Sequence, residues 1–517
     1  MYAKEQVITF FLEYNVLLSD EILSQLTPEK INFLLETNLQ SLVVVPQTLL
    51  DQPQQNQTDW LQFDKEKALQ EKGPTAHLQT ATRIREEPIT EKEKNVKIIT
   101  SYGATSKKRT PSHFVYYFMS RYKAIERILR THLELSHALS CNRIQEKKEK
   151  EAIVCIGMVY DKQISKNKHI ILTLEDPTGF IKCIIKQGHG LYAQAKEIVL
   201  DEIIGVIGKK VGDIVYLDAI LWPEIPLTHE LKKSPDEVYA VFMSDTEFGS
   251  RMFLDEPFRR FLAWINGEIG TNEGKEQVKK IKYLFLVGDL VNGVGIYPTQ
   301  EKDLRIADVY KQYEEMATQI KRIPSAISII ACPGNHDAIQ LPEPQPPMRE
   351  EIIKPLLSFP NLTLVSNPSV INIHSSSIFP GFDVLMYHGF SFIHYANSIE
   401  SIRAAGGQDR PDLIMKFLLK RRHLAPTYTS SQFLPETKND PLVIEKIPDF
   451  FISGHLHQVI VAQYKNITMM NCSAWISKTD FQEKMGIEPK PGRVILTNLQ
   501  TRENKIINFI ERNNEHT

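Results

Sequence analysis

Five short apolar runs in the C-terminal half of this sequence each end in side chains able to hold a metal ion. YAVFMSD delivers Asp245, with Glu247 two residues on, and YLFLVGD delivers Asp289 before a turn-rich NGVG. SIIACPGNHD delivers Asn335, His336 and Asp337, VLMYHG delivers His388, and FFISGHLH delivers His455 and His457. Carboxylates, one amide and imidazoles suit Mn²⁺, Zn²⁺ or Fe²⁺ and exclude a thiolate-only site. Two ions about 3.5–4 Å apart can hold phosphate oxygens and generate a hydroxide nucleophile. A carboxylate such as Asp289 can bridge such a pair, and His336, beside the ligands, can protonate a leaving oxygen. Each piece alone has a plainer reading. An Asp after a strand is usually a turn residue or a helix cap, and a lone His is usually a satisfied core or surface group. Five in series, each closing a strand, point to a two-metal phosphoesterase centre.

The elements that must position these residues form an α/β texture over 236–517, where strands alternate with helical stretches such as 253–267 and 304–321. Open α/β sheets place their sites at the carboxyl ends of strands, which is where every candidate ligand falls. Before it, residues 150–228 hold five short β-rich runs separated by turn chemistry such as Asp176-Pro177-Thr178-Gly179, which suits a small OB-type barrel. Its strands carry few aromatics beyond Tyr160, Phe180 and Tyr216, so a packing role weighs slightly above direct binding of a single strand. A connecting helix is expected over 112–149, with Phe114, Phe118, Tyr122, Ile125 and Leu129 as its apolar stripe. Arg121, Arg127 and Arg130 lie off that stripe and read as a solvated face. Residues 46–111, rich in Gln, Glu and Lys, read as a flexible linker. Residues 1–45 read as a small helical unit that docks on something larger.

Composition sets bounds. The chain has 517 residues with 61 basic against 63 acidic, a formal charge of -2, which rules out a globally basic nucleic-acid coat but not a local channel. Its 5 cysteines are odd in number and widely spaced with no CxxC, arguing against a disulfide scaffold or zinc finger and for a reducing, cytoplasmic setting. No apolar run approaches the length of a membrane span.

The order of the motifs resembles the calcineurin-like metallophosphoesterase superfamily. The intervening phrases, GDLVNGVGIYPTQEKDL, ACPGNHDAIQLPEPQPP, DVLMYHGFSF, LLKRRHLAP and TDFQEKMGIEPKPG, narrow the resemblance to the small subunits of the archaeal family-D DNA polymerases. The barrel phrases GMVYDKQISKNKHIILTLEDPTG and IIGVIGKK agree with it, and the match runs over about 110–510. The resemblance implies 3′→5′ proofreading of single-stranded or frayed DNA ends while a separate large subunit polymerises, with two divalent ions, Mn²⁺ first and Mg²⁺, Zn²⁺ or Fe²⁺ as alternatives. It implies that Asp245, Asp289 and His457 hold the first ion with position 247 beside them. Asp289, Asn335, His388 and His455 would hold the second, and His336 would protonate the leaving 3′-oxygen. Lys420, Arg421 and Arg422, between the fourth and fifth motifs, are candidates for phosphate contact, balanced against a solvated helix end. One departure stands out: the family's first motif ends Asp-x-His, and this chain has Asp245-Thr246-Glu247. Two other readings therefore stay open, a catalytically degenerate accessory subunit and a free-standing phosphoesterase.

Overall fold

The computed structural model describes residues 96–103, 108–435, 439–484 and 486–510. The chain divides into two compact units, Met1–Pro88 and Ile89–Thr517, and every described residue lies in the second. The expected helical unit over 1–45 and most of the expected linker lie outside the described residues.

The linker expectation fails at its end. Val96–Thr100 is strand β1, paired antiparallel with a strand of the large domain in the register Val96↔Ile373. VKIIT is rich in β-branched residues, but its Lys- and Glu-rich surroundings hide it. The connecting helix is shorter than expected: α1 spans Pro111–Leu129, with Pro at its first position and the Thr110 amide donating to His113 Nδ1 at 2.9 Å. Tyr122, Ile125 and Leu129 bury the stripe as expected, but Arg121 is also buried, 1% exposed. Its Nε donates to Asp440 Oδ2 at 2.6 Å and its Nη1 to the Pro426 carbonyl. This charge off the stripe is satisfied by a distant partner rather than by water.

Five strands form a closed barrel: β2 Ala152–Ile164, β3 Ile170–Asp176, β4 Gly179–Ile185, β5 Ile203–Val211 and β6 Ile214–Leu221, in the order β2-β3-β4-β6-β5. Alternate residues such as Ile153, Cys155, Leu172, Leu174, Cys183 and Val206 fill its interior, the period of two expected of strands with one face inward. Asp176 Oδ1 accepts from the amides of Thr178 and Gly179 and so closes the β3–β4 turn.

The large domain is two six-stranded sheets packed face to face. One takes the order β10-β9-β8-β7-β16-β17, from β7 Tyr239–Met243, β8 Ile281–Val287, β9 Ser328–Cys332, β10 Leu362–Leu364, β16 Arg493–Asn498 and β17 Asn504–Asn508. The other takes the order β1-β11-β12-β13-β15-β14, from β1 with β11 Ser369–Ile373, β12 Phe382–Met386, β13 Phe450–Ser453, β14 Ile460–Tyr464 and β15 Ile467–Asn471. Along β8, Tyr283, Phe285 and Val287 face the other sheet; Phe285 stacks at 5.0 Å on Phe242 of neighbouring β7, which in turn meets Phe450 of β13 at 5.9 Å. Leu284 and Leu286 face outward against helices α2 Asp255–Ile265 and α3 Val309–Ile320. Helices α4 Phe392–Ser398 and α5 Pro411–Arg421 cover the other sheet through Leu385, Phe451 and Met469. The central strands are apolar on both faces for this reason, and each fully buried Phe contributes roughly 1.5–3 kcal/mol. The five cysteines are free and buried. No helix among the described residues is long and apolar enough to cross a membrane.

Candidate metal centre

Because β7, β8 and β9 run parallel, their carboxyl ends meet along one edge of the sandwich. There the Asp245 amide donates to the Gly288 carbonyl and the Glu247 amide to the Asp289 carbonyl, each at 3.0 Å. Strands β12 and β13, also parallel, bring His388 and His455 to the same edge. Asp245, Glu247, Asp289, His455 and His457 have φ of 49°, 44°, 49°, 69° and 53°. Left-handed backbone at non-glycine residues costs of order 1–3 kcal/mol each and gathers at functional sites. Two glycines allow the close approach: a Cβ at Gly288 would collide with the His388 ring, and one at Gly334 with the Asp289 carboxylate.

The ligand atoms fall into two clusters, Asp245 with Glu247 and His457, and Asp289 with His388 and His455, each set lying within 4.8 Å of one another. In the first, His457 Nε2 is 3.6 Å from Asp245 Oδ1 and 3.3 Å from Glu247 Oε1. In the second, His388 Nε2 is 3.2 Å from Asp289 Oδ2, and the His388 and His455 rings are 5.1 Å apart. The two clusters share no residue among those described, and Asp289 groups with His388 and His455. Asp289 Oδ1 accepts from the His336 amide at 2.8 Å, and Oδ2 faces His388 Nε2.

The donor set fits divalent cations. His388 Nδ1 donates to the Val287 carbonyl at 2.8 Å, which turns Nε2 toward Asp289 as a ligand atom. That Nε2 and Asn335 Oδ1 are both buried without a hydrogen-bond partner, and a cation would satisfy each. Burial alone would lower the pKa of His388 and of His457, yet facing carboxylates push both up to about 10. For Asp289, burial would raise the pKa, but His388 and His336 hold it well below the carboxylate range. A divalent ion bound here would displace the protons these imidazoles otherwise favour. His455 goes the other way, to about 3, through burial and the neighbouring His388 charge.

His336 stands beside both clusters. Its Nδ1 donates to the Asn292 carbonyl at 3.0 Å, leaving Nε2 for a substrate. Burial opposes its protonation, but Asp289 and Glu247 outweigh burial and raise its pKa, favouring the acid form. Asp337 belongs to neither cluster: it accepts from the amides of Gly334 and Leu290 and from the Tyr313 hydroxyl, fixing the GNHD loop.

Sequence reasoning missed Asn292, whose carbonyl holds His336 while its Nδ2 donates to Glu247 Oε2 at 2.6 Å. Its place in NGVG reads only as turn chemistry. It also missed Gln482, whose amide lies 2.9 Å from His457 Nδ1 and orients that ring. The basic run is a correction. Arg421 and Arg422 are each 3% exposed. Arg421 pairs with Glu202 of the barrel and donates to the Glu197 carbonyl, and Arg422 donates to the carbonyls of Ile444 and Glu445. Lys420 lies over the Trp222 ring at 3.9 Å. These cations join α5 to the barrel and the following loop, and the two arginines are closed to a phosphate backbone.

Comparison with known proteins adds independent findings. Residues 240–461 match the family of DNA polymerase alpha/epsilon B-subunits, and residues 153–213 match the OB-fold nucleic acid binding domain. The DNA polymerase II small subunit of Methanothermobacter thermautotrophicus is 37% identical over 383 residues, covering 74% of this chain and 76% of that protein. The protein of the same description from Archaeoglobus fulgidus is 36% identical over 403 residues, covering 78% of each chain. That from Pyrococcus furiosus is 34% identical, covering 74% of this chain and 61% of that protein.

Proposed function

The chain belongs to the family of small subunits of the archaeal family-D DNA polymerase, and on that premise we propose that it is the 3′→5′ exonuclease of such an enzyme, working beside a large subunit that carries synthesis. The observation that supports this best is the pair of ligand clusters beside His336, at the carboxyl edge of a two-sheet α/β domain. That architecture and motif order also support a calcineurin-like phosphoesterase domain. Asp245, Glu247 and His457 would hold one divalent cation, and Asp289, Asn335, His388 and His455 the other, with Mn²⁺ the first candidate. Such a pair, when bound, neutralises phosphate charge and acidifies water. The chain's own residues do the rest. Asn292 holds the His336 ring through Nδ1. Water attacks phosphorus, the new P–O bond forms as the P–O3′ bond breaks, and the protonated Nε2 of His336 gives its proton to the departing 3′-oxygen. A 5′-mononucleotide leaves, and the shortened strand keeps a free 3′-hydroxyl. Gln482 and Val287 orient the ligand imidazoles.

The test is hydrolysis of 3′-labelled single-stranded DNA by the purified chain, alone and co-expressed with its large subunit, across Mn²⁺ and Mg²⁺. Metal-dependent release of mononucleotides and co-purification of the two subunits are the expected results. Co-purification without hydrolysis under any metal would leave a degenerate accessory subunit, the reading that Glu247 in place of His favours. Hydrolysis without co-purification would leave a free-standing phosphoesterase.

A further inference from the structure

Beside His336 the surface opens into a cleft of about 510 Å³, inside the range of about 300–1,000 Å³ typical of small-molecule sites. Val294 and Ile296, from the loop that follows Asp289, and Ala338 and Ile339, just after His336, give it an apolar wall, and His336, Asp337, Gln340 and Arg349 give it a polar one. His336 itself lines it, so the cleft adjoins the residue placed here as proton donor. Arg349 lines it too; it is exposed and makes no ion pair among the described residues. Nearby, the Tyr297 ring lies 6.4 Å from that of His336, held by a 2.9 Å hydrogen bond to Asp303.

A cleft with one apolar wall and a guanidinium that makes no ion pair matches a nucleoside and the phosphate joined to it, a base against Val294, Ile296 and Ile339 and a phosphate on Arg349. A group that protonates the leaving oxygen must face the leaving side of the scissile bond. We propose that this cleft binds the penultimate nucleoside of a DNA 3′ end, whose 3′-oxygen is the leaving group, with Arg349 on the phosphate that precedes it. The proposal rests on the exonuclease reading and deepens it. It makes the preferred substrate a strand end rather than a mononucleotide or a simple phosphodiester.

The experiment uses the full chain and single-stranded oligonucleotides carrying 2-aminopurine at the penultimate position or at the fifth from the 3′ end, titrated in EDTA so that nothing is cleaved. The expected result is a fluorescence change on binding that is several-fold larger for the penultimate probe. Two variants of exposed residues, Arg349→Glu and Val294→Asp, should reduce that change and weaken binding by about tenfold. Equal signals at both positions, or variants that bind like the parent, would overturn the proposal. Hydrolysis of bis(4-nitrophenyl) phosphate by the parent chain with Mn²⁺ tests the exonuclease reading separately, since this small diester does not need the cleft. Its failure would leave the fluorescence result to decide the cleft.

Discussion

Glu247 Oε1 lies 3.3 Å from His457 Nε2, while Glu247 Oε2 accepts a 2.6 Å hydrogen bond from Asn292 Nδ2. The residue that departs from the family's Asp-x-His therefore points into the site, not toward a helix cap. It adds an anionic group to the cluster of Asp245 and His457. Asn292 ties that group to His336, so one amide residue positions both side chains.

An anionic ligand weakens a cation as a Lewis acid and favours hard ions. Glu247→His should raise the rate on single-stranded DNA several-fold at saturating metal and relax the preference for Mn²⁺ over Mg²⁺. Glu247→Ala should weaken Mn²⁺ binding by about tenfold or more, read by isothermal titration. An unchanged metal profile in both variants would show that position 247 is not a ligand.

Asp289→Asn removes the only carboxylate of the second cluster. Metal-dependent hydrolysis should fall to the buffer rate, and titration with Mn²⁺ should lose one of two binding events. Retention of both events would contradict the assignment of His388 and His455 to a cation site.

Asp440 is a structural anchor. It accepts from Tyr117 Oη at 2.7 Å, Arg121 Nε at 2.6 Å and His423 Nε2 at 2.9 Å, all buried. Asp440→Ala leaves a guanidinium buried and unpaired, at a cost of about 3–5 kcal/mol, and calorimetry should show the transition falling by on the order of 10 °C. Adding Arg121→Met should recover part of the loss. A double variant as unstable as the sum of both singles would argue against this account.

The same network sets a pH dependence. Burial, with the Arg121 charge beside it, lowers the His423 pKa to about 4, whereas an unfolded chain has about 6.5. Between those values the unfolded state binds the extra proton, so stability falls as pH falls through the window, by up to about 3 kcal/mol. Asp440, held below the usual carboxylate range by Arg121 and His423 against the opposing effect of burial, adds a further loss only below it. Urea unfolding at pH 7 and pH 5 measures the slope. His423→Asn should flatten it, and an equal slope would sink the assignment.

The sequence determined what local pattern can carry. The alternation of residues in 150–228 is enough for the five barrel strands, and each ligand is legible because it ends an apolar run. Glycines at 288 and 334 stand beside those ligands because a Cβ there would strike them. What only the tertiary structure decided depends on partners far away in the chain. Arg121 reads as a surface charge until Asp440, 319 residues on, closes over it. Arg421 reads as a phosphate contact until the barrel brings Glu202 to it. Strand β1 reads as linker because β11, which pairs with it, begins only at Ser369, beyond the barrel and four strands of the sandwich. The grouping of ligands is of the same kind, since which carboxylate joins which imidazole follows from the order of strands in two sheets, and periodicity along one strand holds no record of its neighbours.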